Sequence, residues 1–308
     1  MKILVMGAGA VGAYYGARLQ QAGEEVVFCA RGENLRVLRE GGLEVKSFKG
    51  DFSLRVTATS RPAEFAPYDL VLFCVKTYDT EDAARELAGC LAPQATVLTL
   101  QNGVENEAVL AGIFGADAVM AGNARVNAEL AAPGKLIHIT TGVIQFGPLD
   151  GRLGERARRV AAVFERAGIL GELTPRMRML RWEKLLWNGA FNPVTALSRR
   201  CVGDVIDTPE GLATVRALMR EIVAVARAEG AELSEADIER QIGRSFTQLR
   251  AVRPSTLQDL ERGKRLEHDA LTGAVIRAAR RRGIPVPVTE TVHALLNLLD
   301  RYRESSVH

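Results

Sequence analysis

The chain has 308 residues, enough for two domains of ordinary size, each with its own hydrophobic core. Hydrophobic residues make up 47% and charged residues 25%, a composition that excludes fibrous and intrinsically disordered proteins. The formal net charge is only +3, with 40 basic and 37 acidic residues, so nucleic acid is not an expected partner.

The first thirty residues predict a strand, a helix and a second strand. Residues 2–6 are apolar and should form a buried strand, residues 10–22 an Ala-rich helix ended by Gly23, and residues 25–30 another strand. Because a helix connects them, the two strands are expected to be parallel. This order predicts an α/β fold.

The alternation of strands and helices continues to about residue 174. Buried strands are predicted at 69–75 and 96–100, separated by a helix at about 81–90 that ends at Pro93. Pro133-Gly134 marks a turn within a terminal group of strands. The other predictions in this half are a hairpin at 43–46 and 52–58, strands at 118–123, 136–140 and 143–146, and a helix at 153–167.

Strand patterns end near residue 174, and helical patterns follow. We therefore predict an N-terminal Rossmann-type NADP-binding domain at 1–174 and an all-helical substrate-binding and catalytic domain at 175–308. Its long helices could support a homodimer. The predicted helices are 176–191, 209–229, 234–252, 255–262, 264–282 and 289–303.

Gly7, Gly9 and Gly12 form a G-x-G-x-x-G motif between the first strand and the first helix. The first glycine allows a tight turn, the second lets a pyrophosphate approach the backbone, and the third lets helix and strand pack closely. The helix N-terminus attracts phosphate. We predict that these glycines, with Ala10 and Val11, bind a dinucleotide.

The end of the second predicted strand indicates which dinucleotide is bound. NAD enzymes usually carry an Asp or Glu there, whereas this chain has Arg31, whose guanidinium suits a 2′-phosphate. NADPH is therefore the expected cofactor. The alternative is that Arg31 is an ordinary surface arginine, and Glu33 is near enough in sequence to offer a carboxylate instead.

Lys76 and Asn102 follow the next two predicted strands, at the sheet edge where open parallel sheets bind ligands. Both residue types also have plain structural explanations. A lysine at a strand end is commonly solvated, and Asn102-Gly103 is a common turn sequence.

Residues 182–193 read WEKLLWNGAFNP, in which Lys184, Asn188 and Asn192 recur every four residues. They would form a polar stripe that faces either water or a cleft holding a ligand. A lysine in a partly dry cleft has a lowered pKa and donates a proton more readily, as reduction of a ketone requires.

Two later segments carry further polar candidates. Ser255 is predicted to cap a helix, with Gln258 completing a capping box. Glu267 is predicted to lie inside a helical segment, where most glutamates are exposed. No metal site is expected, because His138, His268, His293 and His308 have no ligand spacing.

The cysteine content and the apolar runs indicate the cellular compartment. Cys29, Cys74, Cys90 and Cys201 form neither a C-x-x-C pair nor a dense disulfide pattern, which favours the cytoplasm. The glycine spacing near the N-terminus explains that apolar stretch better than a signal peptide, and no run approaches the length of a membrane span.

Several motifs occur together in the order and spacing of one family: KILVMGAGAVG, CAR, VKTYD, LQNGVEN, WEKLLWNGAFNP and PSTLQDLERGKRLEHDALTG. Over almost its whole length the chain resembles the ketopantoate reductases, also called 2-dehydropantoate 2-reductases. The resemblance implies NADPH-dependent reduction of 2-dehydropantoate to (R)-pantoate, on the route to pantothenate and coenzyme A. It also implies a Rossmann domain followed by a helical domain.

The resemblance also implies residue roles. Lys184 would be the general acid, Asn102 would lie beside it at the nicotinamide, and Glu267 would bond the substrate hydroxyl or help to place Lys184. Asn188 and Asn192 would bind substrate hydroxyl groups. The remaining implied contacts are Ser255 with the substrate carboxylate, and Gly7, Gly9, Gly12, Arg31 and Lys76 with the cofactor.

One motif departs from the family pattern. Where pantoate-forming members often read EIDYxNG, this chain reads EHDALTG, so Ala270 and Thr272 replace an aromatic residue and an amide. The leading hypothesis is a 2-dehydropantoate reductase. The alternatives are a reductase of another small 2-keto or 3-keto acid, and a protein that senses NADPH without turnover, against which Lys184, Asn192 and Glu267 argue.

Overall fold

A computed structural model describes residues 1–302, apart from the side chain of Thr141. The chain divides into two compact units: Met1–Gln101 with Asn106–Met177, and Asn102–Glu105 with the chain from Arg178 onward. This division differs from the predicted boundary near residue 174, since it falls after Met177 and assigns Asn102–Glu105 to the second unit. The end of the predicted second domain, 303–308, lies outside the described residues.

The first unit is built on one mixed sheet of ten strands. Their order across the sheet is β4-β3-β9-β8-β7-β6-β1-β2-β5, with β10 also paired to β9. The strands are β1 (Lys2–Met6), β2 (Glu25–Cys29), β3 (Leu43–Ser47), β4 (Phe52–Leu54), β5 (Thr57–Thr59), β6 (Tyr68–Phe73), β7 (Leu91–Thr99), β8 (Val119–Ala132), β9 (Lys135–Pro148) and β10 (Leu170–Leu173).

The centre of this sheet is parallel. β1 pairs in parallel with β2 and β6, and β7 pairs in parallel with β6 and β8. The buried side chains of β1 alternate between two clusters: Ile3 and Val5 pack on one face, and Leu4 and Met6 on the other. Because both faces are covered, β1 reads as an unbroken apolar run in the sequence.

Helices connect the strands of this sheet. The turn after α1 contains Gly23 with φ +89°, in the left-handed region that favours glycine. Pro133-Gly134 forms the predicted turn and joins β8 and β9 into an antiparallel hairpin. The strands predicted at 136–140 and 143–146 are parts of one strand, β9. The helices of the first unit are α1 (Ala10–Gln21), α2 (Gly32–Glu40), α3 (Thr80–Glu86), α4 (Asn106–Phe114) and α5 (Glu155–Arg166).

Two local predictions in the first unit are wrong. Pro93 does not end a helix but lies inside β7, where the register with β6 shifts between Tyr68 and Leu70. Proline is tolerated at such an irregularity because no ladder hydrogen bond is lost. The strand around Ala58 is not part of a hairpin; it pairs in parallel with β2.

The second unit is helical. Beyond Leu173 the described chain consists of helices and loops, and their apolar faces form one buried cluster that includes Leu186, Phe191, Leu218 and Ile222. No helix within residues 1–302 is both long and apolar enough to span a membrane. The helices are α6 (Met177–Ser198), α7 (Val202–Ile206), α8 (Pro209–Ala228), α9 (Glu235–Gln248), α10 (Ser255–Glu261), α11 (Thr272–Arg282) and α12 (Pro287–Arg301).

Two helix predictions in the second unit are also wrong. α6 does not end at residue 191 but continues through Pro193 to Ser198, because buried Phe191 and Ala196 hold both sides of the proline in the core. The helix predicted at 264–282 begins only at Thr272; Gly263 has φ +65° after α10, and a short 3-10 turn, His268–Ala270, follows.

Candidate active site

Each glycine of the motif occupies a position that fits its predicted purpose. Gly7 has φ +103°, and a Cβ there would lie 2.7 Å from the backbone nitrogen of Val75. A Cβ on Gly12 would lie 2.8 Å from Cγ1 of Val5 in β1, so glycine permits the close packing of helix and strand. Gly9 has no atom within 4 Å of its Cβ position. That open space suits a pyrophosphate.

The N-terminus of α1 presents backbone donors. The first hydrogen bond of the helix runs from the Ala13 N–H to the Gly9 carbonyl at 2.7 Å. The N–H groups of Ala10, Val11 and Gly12 therefore lie before the first i to i−4 hydrogen bond of the helix. The sequence of this first turn contains no acidic residue, which leaves the positive end of the helix dipole available to an anion. The motif therefore fits a dinucleotide phosphate.

Arg31 lies at the end of β2 and precedes α2. Its side chain is 58% exposed, and its contacts with Asp79 and Glu86 are long, each 3.8 Å between nitrogen and oxygen. Glu33 instead accepts a hydrogen bond from Arg36 Nε at 2.9 Å, and that bond lowers the pKa of Glu33. Arg31 is thus accessible to a 2′-phosphate, and Glu33 is already paired within α2.

The loops after β6 and β7 are joined by Gln101, the residue before Asn102. Gln101 is buried; its Nε2 donates to the Val75 carbonyl at 2.9 Å and to Thr80 Oγ1 at 2.8 Å. Its Oε1 accepts from Thr99 Oγ1 at 3.0 Å. Lys76, which is half-buried, lies in the first of these loops, so Gln101 fixes the backbone beside a predicted cofactor residue.

The predicted catalytic residues all belong to the second unit. Lys184 lies on α6, Glu267 lies in the loop before the 3-10 turn, and Asn102 belongs to the segment Asn102–Glu105. All three side chains are half-buried. Glu267 is therefore not inside a helix, contrary to the prediction. The predicted cofactor residues, apart from Asn102, belong to the first unit.

The polar stripe on α6 ends at a buried residue. Lys184 and Asn188 are half-buried, whereas Asn192 is only 2% exposed, so a fully solvated stripe is excluded. Nδ2 of Asn192 donates to Thr256 Oγ1 at 3.2 Å and to Ser255 Oγ at 3.4 Å. Its Oδ1 is buried and has no hydrogen-bond partner within the described residues, which makes it an acceptor for a ligand.

Ser255 does not cap a helix as predicted. It is the first residue of α10, and the capping position is occupied by Pro254. Gln258 Nε2 donates to the Arg253 carbonyl at 2.8 Å, so there is no capping box. The exposed hydroxyl of Ser255 instead lies beside Asn192, which brings two predicted substrate residues from distant parts of the chain together.

The two residues that depart from the family motif have different surroundings. Thr272 is fully buried; its Oγ1 donates to the His268 carbonyl at 3.0 Å and lies 2.8 Å from Nδ1 of His293. Ala270 is half-buried in the 3-10 turn that follows Glu267. Thr272 therefore acts in packing, whereas Ala270 lies against Gly103, the residue after Asn102.

Each described histidine contacts another side chain, and the rings of His268 and His293 lie 5.2 Å apart; His308 lies outside the described residues. His268 Nε2 lies 3.0 Å from Asn297 Oδ1, and His138 Nδ1 lies 2.9 Å from Ser47 Oγ. Within residues 1–302, no group of three or more His, Cys, Asp and Glu side chains is arranged to hold a metal ion.

Known proteins match this chain over both units. A family model described as "Ketopantoate reductase PanE/ApbA" matches residues 3–151, and one described as "Ketopantoate reductase PanE/ApbA C terminal" matches residues 176–300. The 2-dehydropantoate 2-reductase of Halobacterium salinarum is 38% identical, with 98% of this chain and 99% of that protein covered. The enzyme of the same name from Archaeoglobus fulgidus is 36% identical over 97% of this chain and 96% of its own.

A solved structure from the same family has a similar fold. The PanE/ApbA family ketopantoate reductase from Ralstonia eutropha superposes with a TM-score of 0.92 at 37% identity, covering 99% of this chain and 100% of that one. The predicted fold class, an α/β Rossmann-type domain with a C-terminal helical domain, is therefore confirmed.

Proposed function

We propose that this chain, which belongs to the ketopantoate reductase family and is an oxidoreductase, reduces 2-dehydropantoate to (R)-pantoate with NADPH. The observation that carries the proposal is the group formed by Asn192, Ser255 and Thr256. A buried amide held by two hydroxyl groups, with its oxygen left as an acceptor, suits a small substrate that carries both a hydroxyl and a carboxylate.

The choice of cofactor rests on the first unit. The open backbone at Gly9 and the N–H groups at the start of α1 suit a pyrophosphate, and exposed Arg31 suits a 2′-phosphate. Arg31 stands where an NAD enzyme usually has a carboxylate. These features support NADPH over NADH.

The reaction adds a hydride and a proton to the ketone. When bound, the reduced nicotinamide supplies the hydride to C2 of the keto acid. The ammonium group of Lys184 donates the proton to the carbonyl oxygen, which yields the hydroxyl of the product. Asn102 orients the carbonyl group beside Lys184, and Glu267 bonds the substrate hydroxyl.

The chain's own residues also hold the substrate. The hydroxyl of Ser255 binds the carboxylate, and the amides of Asn188 and Asn192 bind the hydroxyl at the far end of the keto acid. The carbonyl, the carboxylate and the hydroxyl of the keto acid are then all held in place. This aligns C2 for attack and lowers the entropic cost of reaching the transition state.

A second candidate is reduction of another small 2-keto or 3-keto acid. Ala270 favours it, because this half-buried residue replaces an aromatic side chain just after Glu267 and leaves more volume beside the site. A larger substituent on the keto acid would use that volume.

A substrate panel tests the proposal. NADPH and NADH oxidation would be followed by absorbance with 2-dehydropantoate and other 2-keto and 3-keto acids. We expect the highest kcat/KM with 2-dehydropantoate and NADPH. A higher kcat/KM with a bulkier keto acid would support the second candidate, and no oxidation with any keto acid would overturn both.

The variant Lys184→Ala tests the role of the general acid. We expect kcat to fall by roughly 10²- to 10⁴-fold, the usual size of general acid catalysis, while NADPH affinity, measured by the fluorescence of the bound cofactor, changes little. Wild-type kcat in this variant would remove Lys184 from the role.

A further inference from the structure

We propose that Arg277 is a positioning residue for this reaction: it holds the segment Asn102–Glu105, which begins with Asn102, against the 3-10 turn that follows Glu267. The inference rests on the proposed function, because Asn102 and Glu267 act there on the substrate. No part of the sequence pattern around Arg277 indicated such a role.

Arg277 lies on α11 and uses its guanidinium as a fork between two carboxylates. Nε and Nη2 donate to Oε2 of Glu105 at 3.0 and 2.7 Å. Nη1 donates to Oδ1 of Asp269 at 2.9 Å, and Nη2 also reaches the Asp269 carbonyl at 3.1 Å. A planar group with several donors can bridge Glu105 and Asp269 in one fixed geometry, as a single ammonium group cannot.

A second contact holds the other end of the segment. Gly103 has φ +91°, and a Cβ there would lie 2.6 Å from the carbonyl oxygen of Ala270. Gly103 therefore approaches the backbone of the 3-10 turn more closely than any other residue type could. Asn102 is adjacent to this contact, and Ala270 is three residues beyond Glu267.

These contacts explain why the segment belongs to the second unit. Gln101 and Asn106, its neighbours on either side in the chain, are both grouped with the first unit. The segment joins the second unit through contacts such as Glu105 with Arg277 and Gly103 with Ala270. The fork of Arg277 thus keeps Asn102 in the unit that contains Glu267 and Lys184.

The charges around Arg277 favour this arrangement at neutral pH. Burial raises the pKa of Asp269, but the hydrogen bond and charge of Arg277 outweigh it and lower that pKa. Arg281 Nη1 adds a longer contact to Glu105, at 3.6 Å. The side chain of Arg277 is 43% exposed, and partly exposed ion pairs add little to stability. Its effect should therefore appear in catalysis more than in folding.

The experiment compares Arg277→Met and Glu105→Gln, singly and together, with a matched control. Arg280→Met is the control, because Arg280 is on the same helix and pairs with Glu290 at 3.3 Å, away from the segment. Rates are measured per NADPH-binding site, so that unfolded protein is not counted. Arg277→Lys, which keeps the charge but not the fork, serves if Arg277→Met does not fold.

We expect kcat/KM for the keto acid to fall roughly ten- to hundredfold in both single variants, the cost of a misplaced reacting group. Because both substitutions break the contact between Arg277 and Glu105, the double variant should lose no more activity than the less active single variant. NADPH affinity and Tm should match those of Arg280→Met. Arg277→Lys should lose activity as well, because an ammonium cannot bridge both carboxylates.

Several results would overturn the inference. The inference fails if the single variants stay within threefold of wild-type kcat/KM. It also fails if the losses multiply in the double variant, or if Arg280→Met loses as much activity. Wild-type protein that is inactive with the whole keto acid panel would overturn the proposed function itself, and that failure is visible before any variant is made.

Discussion

Gly12 lies directly against Gly7: a Cβ on Gly12 would be 2.2 Å from the Gly7 carbonyl oxygen. Helix α1 therefore starts as close to the preceding turn as a bare backbone allows. Gly9, between them, has φ −78° and ψ −170° and no atom within 4 Å of its Cβ position. The motif thus contains glycines needed for packing and one, Gly9, whose open surroundings fit the predicted pyrophosphate.

This difference predicts opposite effects of alanine at two neighbouring glycines. Gly9→Ala should keep the wild-type Tm, because its backbone is ordinary and its surroundings are open, yet lose at least about tenfold in NADPH affinity, since a methyl group would occupy the space of the pyrophosphate. Gly12→Ala should lower stability by about 1–3 kcal/mol, the usual cost of overpacking. Thermal unfolding and cofactor fluorescence would check both, and unchanged NADPH affinity in Gly9→Ala would contradict the assignment.

Arg31 is expected to determine the preference between the two nicotinamide cofactors. Arg31→Ala should raise KM for NADPH roughly ten- to hundredfold, because a charge-assisted bond to the 2′-phosphate is lost, and should leave KM for NADH nearly unchanged. Arg36→Ala is a suitable control, since Arg36 pairs with Glu33 in α2. An unchanged ratio of the two KM values would mean that Arg31 does not contact the phosphate.

Thr256 is expected to set the orientation of the Asn192 amide. Thr256→Val keeps the shape but removes the acceptor at 3.2 Å, which leaves Asn192 Nδ2 with the longer contact to Ser255. KM for the keto acid should rise roughly tenfold, in line with one hydrogen bond of about 1 kcal/mol. Thr247→Val, an exposed change on α9, should have no kinetic effect; equal KM values in both variants would refute the prediction.

The stability of the protein should fall in mild acid because of His138. Burial against Tyr14 lowers the pKa of His138 below its ordinary value of about 6.5. The unfolded chain therefore binds a proton more readily than the folded one. The contribution of neutral His138 to the free energy of unfolding is fully present above about pH 6.5. It is lost, by up to about 1.4 kcal/mol per pH unit, as the pH falls toward the folded pKa.

The variant His138→Gln checks this linkage. It removes the titrating ring but keeps a polar group beside Ser47, so the unfolding free energy should depend less on pH between 7.5 and 5.5 than in the wild type. His293, whose pKa is also lowered by burial and by His268, should account for part of the remaining slope. An identical slope in His138→Gln and wild type would show that His138 does not contribute.

Local sequence patterns determined the framework of this protein. The apolar runs at β1 and β2, the glycines at 7, 9 and 12, and the helical periodicity beyond residue 174 each depend on residues close together in the chain. Their backbone preferences and burial patterns are visible without any tertiary contact. The fold class and the positions of the polar stripe on α6 could therefore be predicted, whereas the family was indicated by the resemblance of several motifs to known proteins.

Contacts between distant residues decided the rest. Pro193 stays inside α6 because its neighbours are buried by other helices, and Ser255 meets Asn192 although 63 positions separate them. Segment Asn102–Glu105 joins the second unit through Arg277, which is 172 positions from Glu105. Such pairings depend on how the elements pack, and the free energy of packing overrides local preference, so no sequence window contains them.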